Sequence, residues 1–251
     1  MRILCLLLIV LPGPLWAQSR SFVDHVDHVK NCVYRVETSG GQFLGTAFTI
    51  NAYGDLLTCL HVVEPKGRRF DSLFLRSVVS VVAGAVTEER NLRSAAAVKI
   101  RIPQFDAAIL HMDTMVQASS KVTEFWRFAF MPFAPSSSLR EGEEVALCAF
   151  IPDDFTSPRP FVAKGIISTV RGRVFVPDLK NEVELVQLDL SAARGTSGGP
   201  IFLISSGRVV GIQDMGIFQS NEASQTLYPI ALGISQIVPI LDSLRIPYDA
   251  E

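Results

Sequence analysis

Three residues in this sequence have the types, order and surroundings for nucleophilic acyl transfer: His61, Asp106 and Ser197. A serine hydroxyl attacks poorly at neutral pH and needs a neighbouring base to take its proton. Histidine suits that task because its pKa lies close to operating pH. A carboxylate behind the imidazole holds its tautomer and stabilises the imidazolium formed in the reaction. A developing oxyanion needs backbone N–H groups already aimed at it. Ser197 stands in Gly195-Thr196-Ser197-Gly198-Gly199-Pro200, where the amides of Gly195 and Ser197 can face one side of a tight loop. The flanking glycines also keep side chains out of the path of a substrate backbone.

These residues sit at the ends of short apolar segments. His61 follows residues 55–60, Asp106 precedes 107–112, and Ser197 precedes 200–204. Further β-branched or alternating segments predict strands at 32–37, 43–50, 73–82, 96–102, 144–150, 162–170, 173–176, 183–190 and 208–212. Many short strands separated by Gly/Pro turns imply an all-β barrel or sandwich. Two helices bracket them. Residues 22–30 carry Phe22, Val26 and Val29 at helical spacing behind Ser21 as a cap. Residues 234–244 place Ile234, Ile237, Val238, Leu241 and Leu244 on one face, with Pro239 in the first turn and Pro247 as a stop. Residues 119–135 form the expected joint between two β halves.

Taken together, the segments Gly45-Thr46-Ala47-Phe48, Leu57-Thr58-Cys59-Leu60-His61-Val62, Asp106-Ala107-Ala108-Ile109-Leu110 and 195–200 resemble the chymotrypsin-like, trypsin-fold serine proteases. Their motif style is that of the bacterial HtrA-like branch. The resemblance runs from about residue 33 to residue 244, and 45 residues separate His61 from Asp106, with 91 from Asp106 to Ser197. The His, Asp, Ser order is that of the chymotrypsin type. It implies two six-stranded antiparallel β-barrels with a C-terminal helix, and a first barrel near 30–118 and a second near 136–232. It also implies Ser197 as nucleophile, His61 as general base and then acid, Asp106 as its orienter, and the amides of Gly195 and Ser197 as oxyanion hole. No cofactor or metal is implied. Partners are protein or peptide substrates, and relatives in this branch often form trimers through N-terminal segments.

Thr196 departs from the trypsin-like zymogens, which place there an Asp that pairs with the newly cut N-terminus. Activation of that kind is not expected here. The chain ends seven residues past Leu244, so the PDZ domain common in HtrA-like enzymes is not expected. Ser191 aligns with the base of the primary specificity pocket, and its neutrality argues against a Lys or Arg preference. The resemblance points instead to a small or medium apolar side chain, while Arg194 can favour acidic neighbours. Gln213, Asp214, Met215 and Gly216 align with the strand that receives an extended substrate. Asp214 can face the pocket, the triad or solvent.

The N-terminus reads as an export signal. Arg2 precedes an apolar run over residues 3–11, then Pro12-Gly13-Pro14 and Leu15-Trp16-Ala17, with cleavage expected after Ala17. The mature chain, 18–251, is expected in the periplasm or outside the cell, with no membrane span. A net charge of −2 without a basic stripe gives no reason to expect nucleic acid. Cys32, Cys59 and Cys148 all lie in apolar surroundings and read as buried thiols, with a Cys32–Cys59 bridge as the alternative. His25 and His28, beside Asp24 and Asp27, read as the solvated face of the first helix rather than a metal site. His111 reads as a strand-end residue without chemistry. The aromatic residues Phe125, Trp126, Phe128 and Phe130 read as packing between the barrels.

Overall fold

The computed structural model describes residues 21–83, 86–112, 115–118, 122–125, 128–134, 139–152, 159–176, 179–221 and 224–249. The expected signal, 1–17, and Trp126 lie outside these residues. The strands are β1 (Val33–Glu37), β2 (Phe43–Thr49), β3 (Asp55–Cys59), β4 (Ser72–Ala83), β5 (Val86–Ile102) and β6 (Ala107–Met112). They close into an antiparallel barrel in the order β1-β2-β3-β6-β5-β4. A two-stranded hairpin, β7 (Met115–Ala118) and β8 (Val122–Phe125), follows. The second antiparallel barrel uses β9 (Glu144–Ala149), β10 (Phe161–Val176), β11 (Asn181–Asp189), β12 (Pro200–Leu203), β13 (Val209–Asn221) and β14 (Ser224–Gly233). Its order is β10-β11-β14-β13-β12-β9. Closure leaves neither barrel an unpaired edge strand.

The described helices are α1 (Phe22–Lys30), the single turn α2 (Leu60–Val63) and α3 (Val238–Leu244). The Ser21 cap of α1 is a full capping box, in which Asp24 N donates to Ser21 Oγ and Ser21 N to Asp24 Oδ2. The expected solvated histidine face is a docking face instead. His25 is buried against Gly207, and His28 Nε2 lies 2.9 Å from Phe130 O. An imidazole has enough apolar surface to cover a barrel while its nitrogen meets a backbone group, and that outweighs its polarity here. α3 begins later than expected because a 3-10 turn, Ile234–Gln236, precedes it, and it ends at Arg245 in the left-handed conformation, φ 54°.

The core explains why the two barrels act as one body. Every residue of β3 is buried. One face fills the first barrel, and the other meets β13, where Cys59 Sγ donates to Gln213 O at 3.3 Å. Phe48, Leu56, Leu57, Ile109 and Leu110 belong to the same buried cluster as Phe150, Phe202, Ile212 and Leu232 of the second barrel. Burying each such side chain is worth about 1.5–3 kcal/mol. A separate cluster of Val145, Leu147, Ile167, Val186, Ile201 and Val210 fills the second barrel. Cys32, Cys59 and Cys148 are free buried thiols.

Several strand expectations differ from the structure: β5 begins at Val86 rather than at 96, and the hairpin β7–β8 was not expected, with β8 falling inside the expected joint. Residues 162–170 and 173–176 are one strand, β10, whose register shifts near Thr169 and Arg173 bend it round the barrel. The strand expected to stop at Ile212 runs to Asn221, and its partner β14 had no expected counterpart. β14 carries Gln225, Thr226, Pro229 and Gly233, so its apolar alternation is weak, and cross-strand pairing rather than pattern makes it a strand.

Candidate active site

The base and its carboxylate come from the first barrel alone. α2 starts straight after β3, so its first amides have no partner within the helix. Asp106 supplies both: its carbonyl accepts Leu60 N at 2.8 Å and its Oδ1 accepts His61 N at 3.0 Å. Its other oxygen, Oδ2, accepts from His61 Nδ1 at 2.5 Å. Asp106 can do this because the turn Pro103–Phe105 delivers it with φ 46°, a left-handed conformation that Asp tolerates better than most residues. One carboxylate therefore caps the helix and fixes the imidazole. Burial disfavours the imidazolium, but the hydrogen bond and charge of Asp106 outweigh it and hold the His61 pKa above its usual value. The side chain stays 45% exposed, open to a reactant.

Ser197 comes from the second barrel, on the loop before β12. Residues 193–196 form a turn in which Thr196 N and Oγ1 both donate to Ala193 O, at 3.2 and 2.9 Å. Gly195 sits in it with φ 95°, a conformation that needs glycine, and an added Cβ would lie 2.4 Å from the Phe43 ring. Among the described residues, the amides of Gly195 and Ser197 have no acceptor. The peptides beside them are anchored by Thr46 of β2: Thr46 N donates to Ser197 O at 2.9 Å, and Thr46 Oγ1 to Gly195 O at 3.2 Å. Thr46 Oγ1 also accepts Phe150 N at 3.0 Å. Buried Thr46 thus ties the loop to the first barrel, a role not anticipated from the sequence although it lies in the Gly45-Thr46 motif.

The Ser197 hydroxyl donates to Asp214 O at 3.0 Å, and among the described residues no hydrogen bond joins it to His61. Asp214 is the extra residue of a bulge in β13, between Gln213, which faces Ala231, and Met215, which faces Ile230. A bulge re-aims a side chain, and this one turns the Asp214 carboxyl inward, with Oδ1 3.7 Å from His61 Nδ1. Of the three directions open in the sequence, the structure takes the one toward the triad. Cys59, His61, Asp106 and Asp214 offer atoms within 4.8 Å of one another. His61 and Asp106 already bind each other, and burial raises the Cys59 thiol far above its ordinary pKa. The Cys59 thiol itself donates to Gln213 O.

The other expected residues fall around this centre. Ser191 and Arg194 are exposed on the loop leading to Gly195. Gln213 is buried, exchanging backbone bonds with the Ser197 loop: its N donates to Gly199 O and its O accepts Gly198 N, both at 2.8 Å. Met215 and Gly216 pair with β14 on one side only among the described residues. His111, expected to be idle, lies 2.8 Å by Nδ1 from the buried carboxylate of Asp55, which Lys99 and Asn51 also bind, so it closes a structural ion network away from the triad.

Comparison with known proteins accords with this geometry. The structure resembles the HtrA-type protease AlgW with decapeptide, at TM-score 0.65 and 17% identity, covering 90% of this chain and 68% of that one. Deg5 gives 0.62 at 18% identity, covering 87% and 92%. The MamO protease domain from Magnetospirillum magneticum gives 0.59 at 17% identity, covering 85% and 97%. At such identities these likenesses establish the fold. No curated protein sequence matches the chain. The profile described as a trypsin-like peptidase domain matches residues 45–212, from the Thr46 anchor through both barrels to β13, and so the chain belongs to that family.

Proposed function

We propose that this chain is a serine endopeptidase, hydrolysing peptide bonds through an acyl-enzyme on Ser197 after export from the cytoplasm. The observation that carries this reading is the His61–Asp106 pair of one barrel facing the Ser197 loop of the other, where two amides are unclaimed among the described residues. In this mechanism the Ser197 hydroxyl turns from Asp214 O to His61 Nε2 and passes its proton there as Oγ attacks the scissile carbonyl. The amides of Gly195 and Ser197 receive the oxyanion. His61 then gives the proton to the leaving amine, and a water repeats the sequence on the acyl-enzyme.

Substrate backbone would lie along β13 at Asp214, Met215 and Gly216, on the side without a strand partner among the described residues. That AlgW was solved with a decapeptide supports a peptide substrate. Neutral Ser191 favours a small or medium apolar residue at the cleavage position, with Arg194 drawing acidic neighbours. For export, the support is the 1–17 leader pattern, and N-terminal sequencing of the mature protein is expected to start at Gln18. Among the described residues no helix is long and apolar enough to cross a membrane.

A second reading rests on the Ser197–Asp214 O bond, which holds the hydroxyl away from His61. It makes the chain a pseudoprotease or peptide-binding protein, or an esterase of lower demand. Fluorophosphonate labelling separates these readings. An adduct mapped to Ser197 and abolished by Ser197→Ala and His61→Ala supports a competent hydrolase. Peptide against simple ester substrates then separates peptidase from esterase. A folded protein that never labels removes the hydrolase.

A further inference from the structure

Asp214 lacks the partners that a buried ionised carboxylate needs. It is 4% exposed, and its Oδ1 accepts no hydrogen bond among the described residues. Among the described residues, three titratable groups face it. From α2 comes His61, with Nδ1 3.7 Å away. From the turn before β6 comes the Asp106 carboxylate, with an oxygen within 4.8 Å. From β3 comes the Cys59 thiol, which donates to Gln213 O instead. No lysine or arginine among the described residues pairs with either carboxylate. Two carboxylates this close and largely shielded from water do not both ionise readily, and one keeps a proton. Asp106 accepts from His61 N and Nδ1 on its two oxygens, so it is the ionised member.

We propose that Asp214 is a positioning residue that keeps its proton at neutral pH and donates it in a hydrogen bond to Asp106, extending the base assembly to Asp214–Asp106–His61. This rests on the serine-hydrolase reading only for its catalytic consequence. Burial and the charge of Asp106 push Asp214 up to about 8, in agreement with the geometry. With the proton in place, the two carboxyl groups carry one negative charge. His61 donates from Nδ1 and keeps its Nε2 lone pair for Ser197. Loss of the proton puts a second negative charge beside the base, removes the donor that steadies Asp106, and opposes the developing oxyanion. The same residue's carbonyl holds the Ser197 hydroxyl, so the β13 bulge meets both ends of the proton path.

The test pairs a readout of the proton with one of reactivity on the full mature chain. Carboxyl ¹³C spectra are recorded from about pH 5 to about pH 10 for wild type and Asp214→Asn. Fluorophosphonate labelling rates of Ser197 are measured over the same range. The proposal expects one carboxyl resonance to titrate near pH 8 and to be missing in the variant. It expects wild-type labelling to fall about tenfold per pH unit above that point. Asp214→Asn, whose amide donates at every pH, is expected to keep its plateau within about tenfold of wild type and to lose the alkaline fall. Asp214→Ser supplies a smaller donor should Asn disturb packing. Titration of every carboxyl below the neutral range overturns the proposal, as does an alkaline fall that survives in both variants. A carboxyl titrating near 8 in a protein that never labels upholds the shared proton and removes only the hydrolase reading.

Discussion

The two barrels contribute to the site in different ways. The first barrel delivers a finished pair: Asp106 caps α2 and grips His61 through bonds internal to that barrel. The second delivers a loop, 193–199, whose shape depends on contacts with its neighbour. Thr46 anchors two of its carbonyls, and Gly198 packs so closely that an added Cβ would lie 2.0 Å from Thr46 O. The base and its partner can be built within one barrel because a single residue, Asp106, meets both helix amides, one with its backbone carbonyl and one with its carboxylate, and meets the imidazole with its other carboxylate oxygen. An oxyanion hole needs two amides facing the same way without an acceptor of their own, so the force that aims them must come from elsewhere.

The largest test of that contrast removes the reacting groups. Ser197→Ala and His61→Ala are each expected to lower kcat by about 10⁴-fold or more, and the double variant to lose no more than either alone. Additive losses measured on a peptide substrate would mean that the barrels do not act on one proton. Thr46→Val comes next. It keeps the amide bond to Ser197 O but removes the hydroxyl bridge between Gly195 O and Phe150 N. The expected result is a roughly 10²-fold loss in kcat with KM little changed, approaching the loss of an oxyanion donor. An unchanged kcat would show that the loop holds its own shape.

Gly198→Ala tests the same junction through stability. Its φ of 85° and the 2.0 Å approach predict a loss of about 1–3 kcal/mol or more, read as a lower midpoint in denaturant. The His61 protonation state gives a smaller, signed effect. The general base must be neutral, and its pKa is raised, so activity is expected to be lost as pH falls through a value above the ordinary 6.5. Asp106→Asn removes the chief support of the imidazolium and is expected to move that acid limb downward while lowering kcat by about 10⁴-fold. The mildest expectation concerns the thiols. Burial pushes Cys148 up to about 12 and also raises Cys32 and Cys59. A thiol reagent is expected to leave all three untouched in the native protein and to count them after unfolding.

The sequence was most legible where short-range chemistry dictates structure. Ser21 marked the start of α1, and Pro247 followed the end of the last helix. Regular apolar segments placed most strands of the first barrel within a residue or two. It was least legible at β14, where pairing with β13 overrides a weak pattern, and at His25 and His28, which looked solvated. The fold's two barrels came through family resemblance, since a strand list alone fits a sandwich equally well.

For the site, the residue types and their order along the chain picked out His61, Asp106 and Ser197 as candidates, because acyl transfer tolerates few substitutes for base, orienter and nucleophile. Only the tertiary structure decided how these groups face one another. The Asp106 backbone turns left-handed to meet α2, Thr46 reaches across the junction, and a bulge turns the Asp214 carboxyl toward His61. Each depends on contacts between residues far apart in the chain. In a strand the side of a residue is set by register, and one extra residue in β13 turns a carboxyl inward, which no local pattern records.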